Sequence, residues 1–421
     1  MKKIVLFFIG SVIFQIGFSQ KCDPSKTPIV FVHGFLGSGD TYATQFQRFL
    51  SNGYCSNQLF VFDWNSIGAR GNTNAQLDTF IQNVLEKSGA KKVNLVGHSA
   101  GGGIGYSYLN DSLRALKVAH YVHVGSGKNS KPAGKRGEVP TMNIYSTDDK
   151  VAKGGAIPDA VNVQQSGNDH YQVATSEASF INMYSFFNDG KQPSLQNKKE
   201  KKPVIAGKAC LMGENTPLAG AAIDVYAFDL NKGSRKKETA SFQFVADSLG
   251  NWGPFIADPS IGYEFVLQPT GGQRTVYYYY EPFVQSNRLV YLRALPKTGM
   301  TALLLNVLPA DDRQSVLAIF TSNGAVVNGR DSLTINAFNL SSSTISPASK
   351  TGIAQFIFDD GDKQSSGKLI PNFNAVPFMN GIDLLLDNQN IAPIHLYFNG
   401  RDLYLPKRKS ATEGVMVMVL N

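Results

Sequence analysis

The sequence predicts an α/β domain with a mostly parallel sheet, followed by an all-β region built as one or more sandwiches. Three observations carry that expectation. Between residues 28 and 187, six apolar strand-like runs (29–32, 59–63, 93–96, 118–124, 141–145 and 160–164) alternate with helical patterns. After residue 203 the pattern changes to short alternating runs, such as 222–228, 263–267, 303–308 and 316–320, separated by Gly, Pro and Asn turns. Between the two lies a polar stretch with a basic cluster, NDGKQPSLQNKKEKKP over residues 188–203, which reads as an exposed linker.

The 421-residue length suits two or three domains. With 43% hydrophobic and 17% charged residues, the chain is neither disordered nor a long coiled coil. The net charge is +8. The densest basic run lies in the linker, and no nucleic-acid recognition module accompanies the charge, so nucleic acid is not an expected partner.

Residues 1–19 read as a secretory signal. Lys2 and Lys3 precede an apolar stretch broken at Gln15, and Gly17 and Ser19 place cleavage before Gln20. An uncleaved anchor is the alternative. Lys21 stands where a small residue is wanted before a lipidated Cys22, which argues against a lipoprotein. No other run of about 18 apolar residues follows. The expected location is secreted or periplasmic, where thiols oxidise. Cys22 and Cys55 each precede a strand-like run, and neighbouring strands would let them bond. Such a bond closes a loop of about 33 residues and contributes about 3–4 kcal/mol in the chain-entropy model. Cys210 is expected to be a small buried group.

The α/β domain covers residues 20–188. Leu77, Phe80, Ile81, Val84 and Leu85 recur at helical spacing, as do Tyr42, Phe46, Phe49 and Leu50 earlier, and both faces would pack on the sheet. After the linker (189–203), a β-sandwich is expected over 204–296 and a second over 297–421, with the seam at Leu295-Pro-Lys-Thr-Gly299.

Chemistry concentrates in Gly97-His98-Ser99-Ala100-Gly101. The pentapeptide recurs by chance, but here a buried-strand run precedes it and a glycine-rich helical start follows. A sharp turn in that setting strains the serine backbone and holds its hydroxyl out for attack, and the flanking glycines remove colliding side chains. Serine then needs a base oriented by a carboxylate. Of the six histidines, His33 lies in the loop after the first strand, His98 in the turn itself, His120 and His123 in a strand, and His395 far off in the β region. His170 remains, in a loop beyond the last strand of the domain. The carboxylate should follow the preceding strand, where Asp148 and Asp149 are adjacent candidates that spacing does not separate. The oxyanion would be held by the NH groups of Ala100, after the nucleophile, and Phe35, in the loop freed by Gly34.

Val32-His-Gly-Phe35, the pentapeptide around Ser99, Tyr145-Ser-Thr-Asp-Asp149 and Gly167-Asn-Asp-His170 together resemble the secreted bacterial lipases of the α/β-hydrolase superfamily, particularly the small lidless type, over residues 25–188. The resemblance implies an α/β-hydrolase fold, cleavage of carboxylic esters without a cofactor or a metal at the site, and Asp149 as the acid. Ala152 departs from the aliphatic residue usual three positions after that acid. In the β region, Asn215-Thr-Pro-Leu-Ala-Gly-Ala-Ala222 and Gly250-Asn-Trp-Gly-Pro-Phe255 resemble the β-sandwich appended to certain archaeal and bacterial lipases, which implies lipid or substrate engagement there. Tyr277-Tyr-Tyr-Tyr280 offers an aromatic strip for a lipid or membrane surface, with two tyrosines expected inside and two exposed.

About 16 residues separate the fourth and fifth strand runs, too few for a multi-helix cap, so an open site bordered by the basic loop 126–138 is expected. The leading reading is a secreted serine ester hydrolase. An amidase or acyltransferase would share the triad. A surface-binding protein with an inert hydrolase domain is the third reading, against which the intact serine, histidine and acid set argues.

Overall fold

Ile-Val-Phe-Val, four consecutive buried residues, make β1 (Ile29–Val32), the strand around which the first sheet is laid. The computed structural model describes residues 22–68, 71–196 and 199–421; the expected signal segment and its cleavage site lie outside them. After β1 come α1 (Ala43–Ser51), β2 (Leu59–Phe62), α2 (Thr73–Ser88), β3 (Val93–His98), α3 (Ala100–Leu109), α4 (Ser112–Ala115), β4 (Val118–Val124), β5 (Thr141–Ser146), β6 (Val161–Gln165), α5 (Gln172–Thr175) and α6 (Glu177–Phe187). The sheet order is β2-β1-β3-β4-β5-β6, and every pair is parallel.

The central strands are covered on both faces, which is why they read as continuous apolar runs, whereas the edge strand β6 is largely exposed. Phe31, Val96 and Ile144 pack with Phe49 of α1 and Phe180 of α6 on one face. Val30, Val32 and Leu95 meet Leu77 and Ile81 of α2 and Tyr108 of α3 on the other. Gly89, at φ +68°, ends α2 in the left-handed conformation that glycine adopts without steric cost. The Cys22 and Cys55 sulfurs are bonded, which ties the segment before β1 to the one before β2.

The β region has three sheets. A nine-stranded sheet runs Phe242–Val245, Ala222–Asp229, Gly262–Gln268, Val276–Tyr280, Val415–Leu420, Leu317–Thr321, Ala354–Phe358, Met379–Asp383, with Ser234–Arg235 paired beside Ala222–Asp229. A three-stranded sheet (Asn251–Ile256, Val204–Leu211, Asn287–Ala294) covers one face through Trp252, Phe255 and Val290. A four-stranded sheet covers the other through Leu333, Leu396 and Leu403. Strands from both sides of the expected seam share the large sheet, because Val276–Tyr280 pairs in parallel with Val415–Leu420.

Two expectations are corrected. Residues 303–308, read as a strand, belong partly to a helix, α7 (Gly299–Leu305). Gly299 at φ +87° turns the chain into it, and the unbranched-at-Cβ leucines favour helix. The tyrosine strip is not half exposed: Tyr278, Tyr279 and Tyr280 are buried and Tyr277 is partly covered, with Arg408 over its ring. Alternation does send neighbours to opposite faces, but both faces of this sheet carry another layer.

Candidate active site

Ser99 sits between the end of β3 and the start of α3 with φ +52° and ψ −120°, a conformation that non-glycine residues adopt at a cost. The turn closes only because its neighbours lack side chains. A Cβ on Gly97 would lie 2.5 Å from the Gly101 carbonyl oxygen, and one on Gly101 would lie 2.4 Å from that of Val32. Gly34 is also close in: a Cβ on it would stand 3.0 Å from that of Ser99, so the loop carrying Phe35 passes directly beside the serine. Ala100 opens α3, and its NH lies among the helix N-terminal donors.

His170 precedes α5, and its Nδ1–H donates to Asp149 Oδ2 at 2.7 Å. Asp149 Oδ1 accepts the NH groups of Val151 and Ala152 at 2.8 and 2.9 Å. Burial alone would raise the Asp149 pKa; the His170 hydrogen bond and charge and those two NH groups hold it below the usual carboxylate value. Asp148 turns outward instead, where its Oδ2 accepts the Gly167 NH at 2.6 Å and fixes the histidine loop. With Nδ1 committed to Asp149, the other ring nitrogen, Nε2, is left buried without a hydrogen-bond partner. Ser99, His170 and Phe35 line one cavity.

His33 is fixed in the loop. Its Nε2 accepts the Trp64 NH at 3.1 Å, so Nδ1 is the protonated nitrogen and donates to Gly34 O at 2.8 Å. His98 Nε2–H donates to the His170 carbonyl at 2.9 Å. Burial, then the His170 charge, pushes the His98 pKa down to about 3, and burial pushes His123 down to about 4. Both rings are therefore neutral in the folded chain but take up protons below pH ~6.5 once unfolded. In the window from there to the folded values the unfolded state binds more protons. Stability should thus fall on acidification by about 1.4 kcal/mol per pH unit for each ring. Urea unfolding should show a clearly lower midpoint at pH 5 than at pH 7; equal midpoints would contradict the neutral assignment.

The open site expected from the short fourth-to-fifth strand connection is not what the structure has. The basic loop 126–138 does not line the cavity; its Ser126 hydroxyl braces the Ser99 carbonyl at 2.8 Å. The β region covers the cavity instead. Phe378 stacks on His170 with ring centroids 5.8 Å apart, and Met212, Tyr278, Tyr280, Phe320 and Met379 supply more of the wall. The cavity is about 110 Å³ and mostly apolar, with the Asp40–Arg293 ion pair on its rim.

Two residues outside the sequence-derived set tie the site to the β region across the domain boundary. Asn215 Nδ2 donates to the carbonyls of Gly37 and Trp64 at 2.9 and 3.1 Å, and its Oδ1 accepts from the Ser38 hydroxyl at 2.5 Å. Asp169 accepts the NH groups of Tyr171, Gln172 and Ala325, the last at 3.0 Å from the β region. Asn215 opened one of the motifs above, but its reach to the loop after β1 depends on contacts between residues almost 180 apart. Cys210 is buried, and burial pushes its thiol up to about 12, which leaves it inert.

The fold and this geometry define an α/β-hydrolase domain followed by β layers. Comparison with known families agrees: residues 27–135 match the alpha/beta hydrolase fold, residues 201–296 match a lipase C-terminal domain, and residues 318–402 match a further C-terminal domain. Among solved structures, the chain is similar to a Bacillus licheniformis lipase (17% identity, TM-score 0.31, covering 39% of this chain and 94% of that one). It is also similar to Aspergillus fumigatus lipase B (15% identity, TM-score 0.33, covering 42% and 56%).

Proposed function

We propose that this protein is a serine hydrolase of carboxylic esters, of lipase or esterase type. One observation carries the reading: Ser99, held at positive φ beside the first loop, shares an apolar cavity with a His170–Asp149 pair whose free nitrogen is buried and unpartnered. In the proposed reaction Ser99 Oγ attacks the acyl carbonyl while His170 Nε2 takes its proton, and Asp149 stabilises the imidazolium. The Phe35 and Ala100 NH groups receive the oxyanion. His170 passes the proton to the leaving alcohol, and water then releases the acid from the acyl-enzyme by the same steps in reverse.

The cavity beside Ser99 is lined mostly by apolar side chains, which suits the acyl chain of an ester. Export is part of the same proposal: residues 1–19 carry the signal pattern, and the Cys22–Cys55 bond suits an oxidising compartment.

The test is a p-nitrophenyl ester series from acetate to palmitate, with an alkyl phosphonate ester as covalent probe. The expected result is ester turnover and a single phosphonate adduct on Ser99 by mass spectrometry. Folded protein that neither turns over any ester nor takes the adduct would overturn the proposal.

A further inference from the structure

Two parallel neighbours in the large sheet, Ala354–Phe358 and Met379–Asp383, begin at the cavity and end at a group of carboxylates. Ala354 and Met379 line the cavity. At the other ends stand Asp359, Asp360 and Asp362 of the loop after the first strand, and Asp383 of the second. One carboxylate oxygen from each of the four lies within 4.8 Å of the others.

This is more than a cluster of surface acids. Asp359 and Asp383 are only 3% and 1% exposed, and Asp359 Oδ1 is buried with no hydrogen-bond partner. A buried carboxylate oxygen without a donor is costly, and it becomes more so beside like charges. Among the described residues none of the four enters an ion pair; nearby Arg313 is taken by Asp311. The surrounding backbone already curls toward the group. Asp383 accepts the Asp360 and Ser366 NH groups at 3.2 and 3.1 Å, and Asp362 accepts that of Gln364 at 2.8 Å.

The donor set selects the ion. Four carboxylates and no nitrogen or sulfur exclude a preference for zinc or copper. Magnesium usually takes one or two carboxylates and keeps its waters, whereas calcium accepts six to eight oxygens in flexible geometry. We propose that Asp359, Asp360, Asp362 and Asp383 bind one calcium ion, which clamps the far ends of the two strands whose near ends line the cavity. The affinity expected for such an extracellular-type site is about 0.1–1 mM.

Calorimetric titration of the EDTA-treated full chain with calcium chloride should give saturable binding of one ion per chain. The melting temperature should rise by about 2–3 °C in ~10 mM calcium. In the Asp359→Asn/Asp362→Asn double variant the calcium-dependent rise should vanish, while the melting temperature in EDTA should equal or exceed the parent's, because repulsion is relieved. That pairing separates ion binding from a merely structural role. Asp360→Asn changes an exposed side chain, so it keeps the test available if the double variant does not fold; it should weaken calcium binding at least ~10-fold. No saturable calcium binding by the parent, binding by the variants equal to the parent's, or an equal response to magnesium would overturn the assignment.

Discussion

Ser99→Ala is expected to lower ester turnover by about a thousandfold or more while leaving the protein at least as stable as its parent. Without the hydroxyl no acyl-enzyme forms, and the residual rate is whatever the oxyanion donors and the bound geometry provide to water. The stability half of the prediction has its own cause. Ser99 holds φ +52° without a side-chain cap on α3, so its side chain contributes little to folding while its backbone costs about 1–3 kcal/mol. Alanine shares that backbone cost, but glycine does not, and Ser99→Gly should be more stable than either by about 1 kcal/mol. Rates compared on the same p-nitrophenyl ester, with melting temperatures alongside, check both halves. Equal turnover in parent and Ser99→Ala would remove Ser99 as the nucleophile.

The second large effect is expected at Asn215, far from the chemistry in sequence. Asn215→Ala removes the hydrogen bonds to the half-buried Gly37 carbonyl, the buried Trp64 carbonyl and the Ser38 hydroxyl. Unsatisfied buried groups of this kind cost about 1–3 kcal/mol each, and partial rearrangement should leave a net loss of about 2–4 kcal/mol. Gly37 and Ser38 continue the loop that carries Phe35, so the proposed oxyanion donor there loses its brace. A displacement approaching 1 Å there lowers kcat by about a hundredfold with a smaller change in KM. Asn215 also sits at φ +58°, which glycine tolerates better than alanine. Asn215→Gly should therefore recover part of the stability but none of the kcat. Recovery of both would mean that the backbone turn, not the side-chain hydrogen bonds, is what matters.

The parallel sheet was legible because its strands are apolar on both faces, and the Ser99 turn because a strand, a glycine-flanked serine and a helix follow one another without interruption. His170 emerged from a small set of six histidines. What could not be read is whatever depends on a second segment arriving from far away. Phe378 lies in an irregular stretch with no pattern of its own, yet it walls His170. The period-two rule sent Tyr277 and Tyr279 opposite to Tyr278 and Tyr280 but carried no information on how many layers flank the sheet. The short fourth-to-fifth connection correctly left no room for an inserted cap; the cover arrives instead from beyond residue 204, where nothing in the hydrolase half announces it.

The parallel pairing of Val415–Leu420 between Val276–Tyr280 and Leu317–Thr321 has a consequence for biosynthesis. The strand bearing Tyr278 and Tyr280 leaves the ribosome well before its neighbour, which follows about 135 residues later. At ordinary elongation rates that interval is roughly 7–27 s. During it the hydrolase half is already synthesised and can close its own sheet, with Ser99, Asp149 and His170 all present. The chamber around them must wait. A newly made chain should thus pass through a stage in which Ser99 lacks the wall that Tyr278, Tyr280, Phe320 and Phe378 supply, and its cavity is completed last.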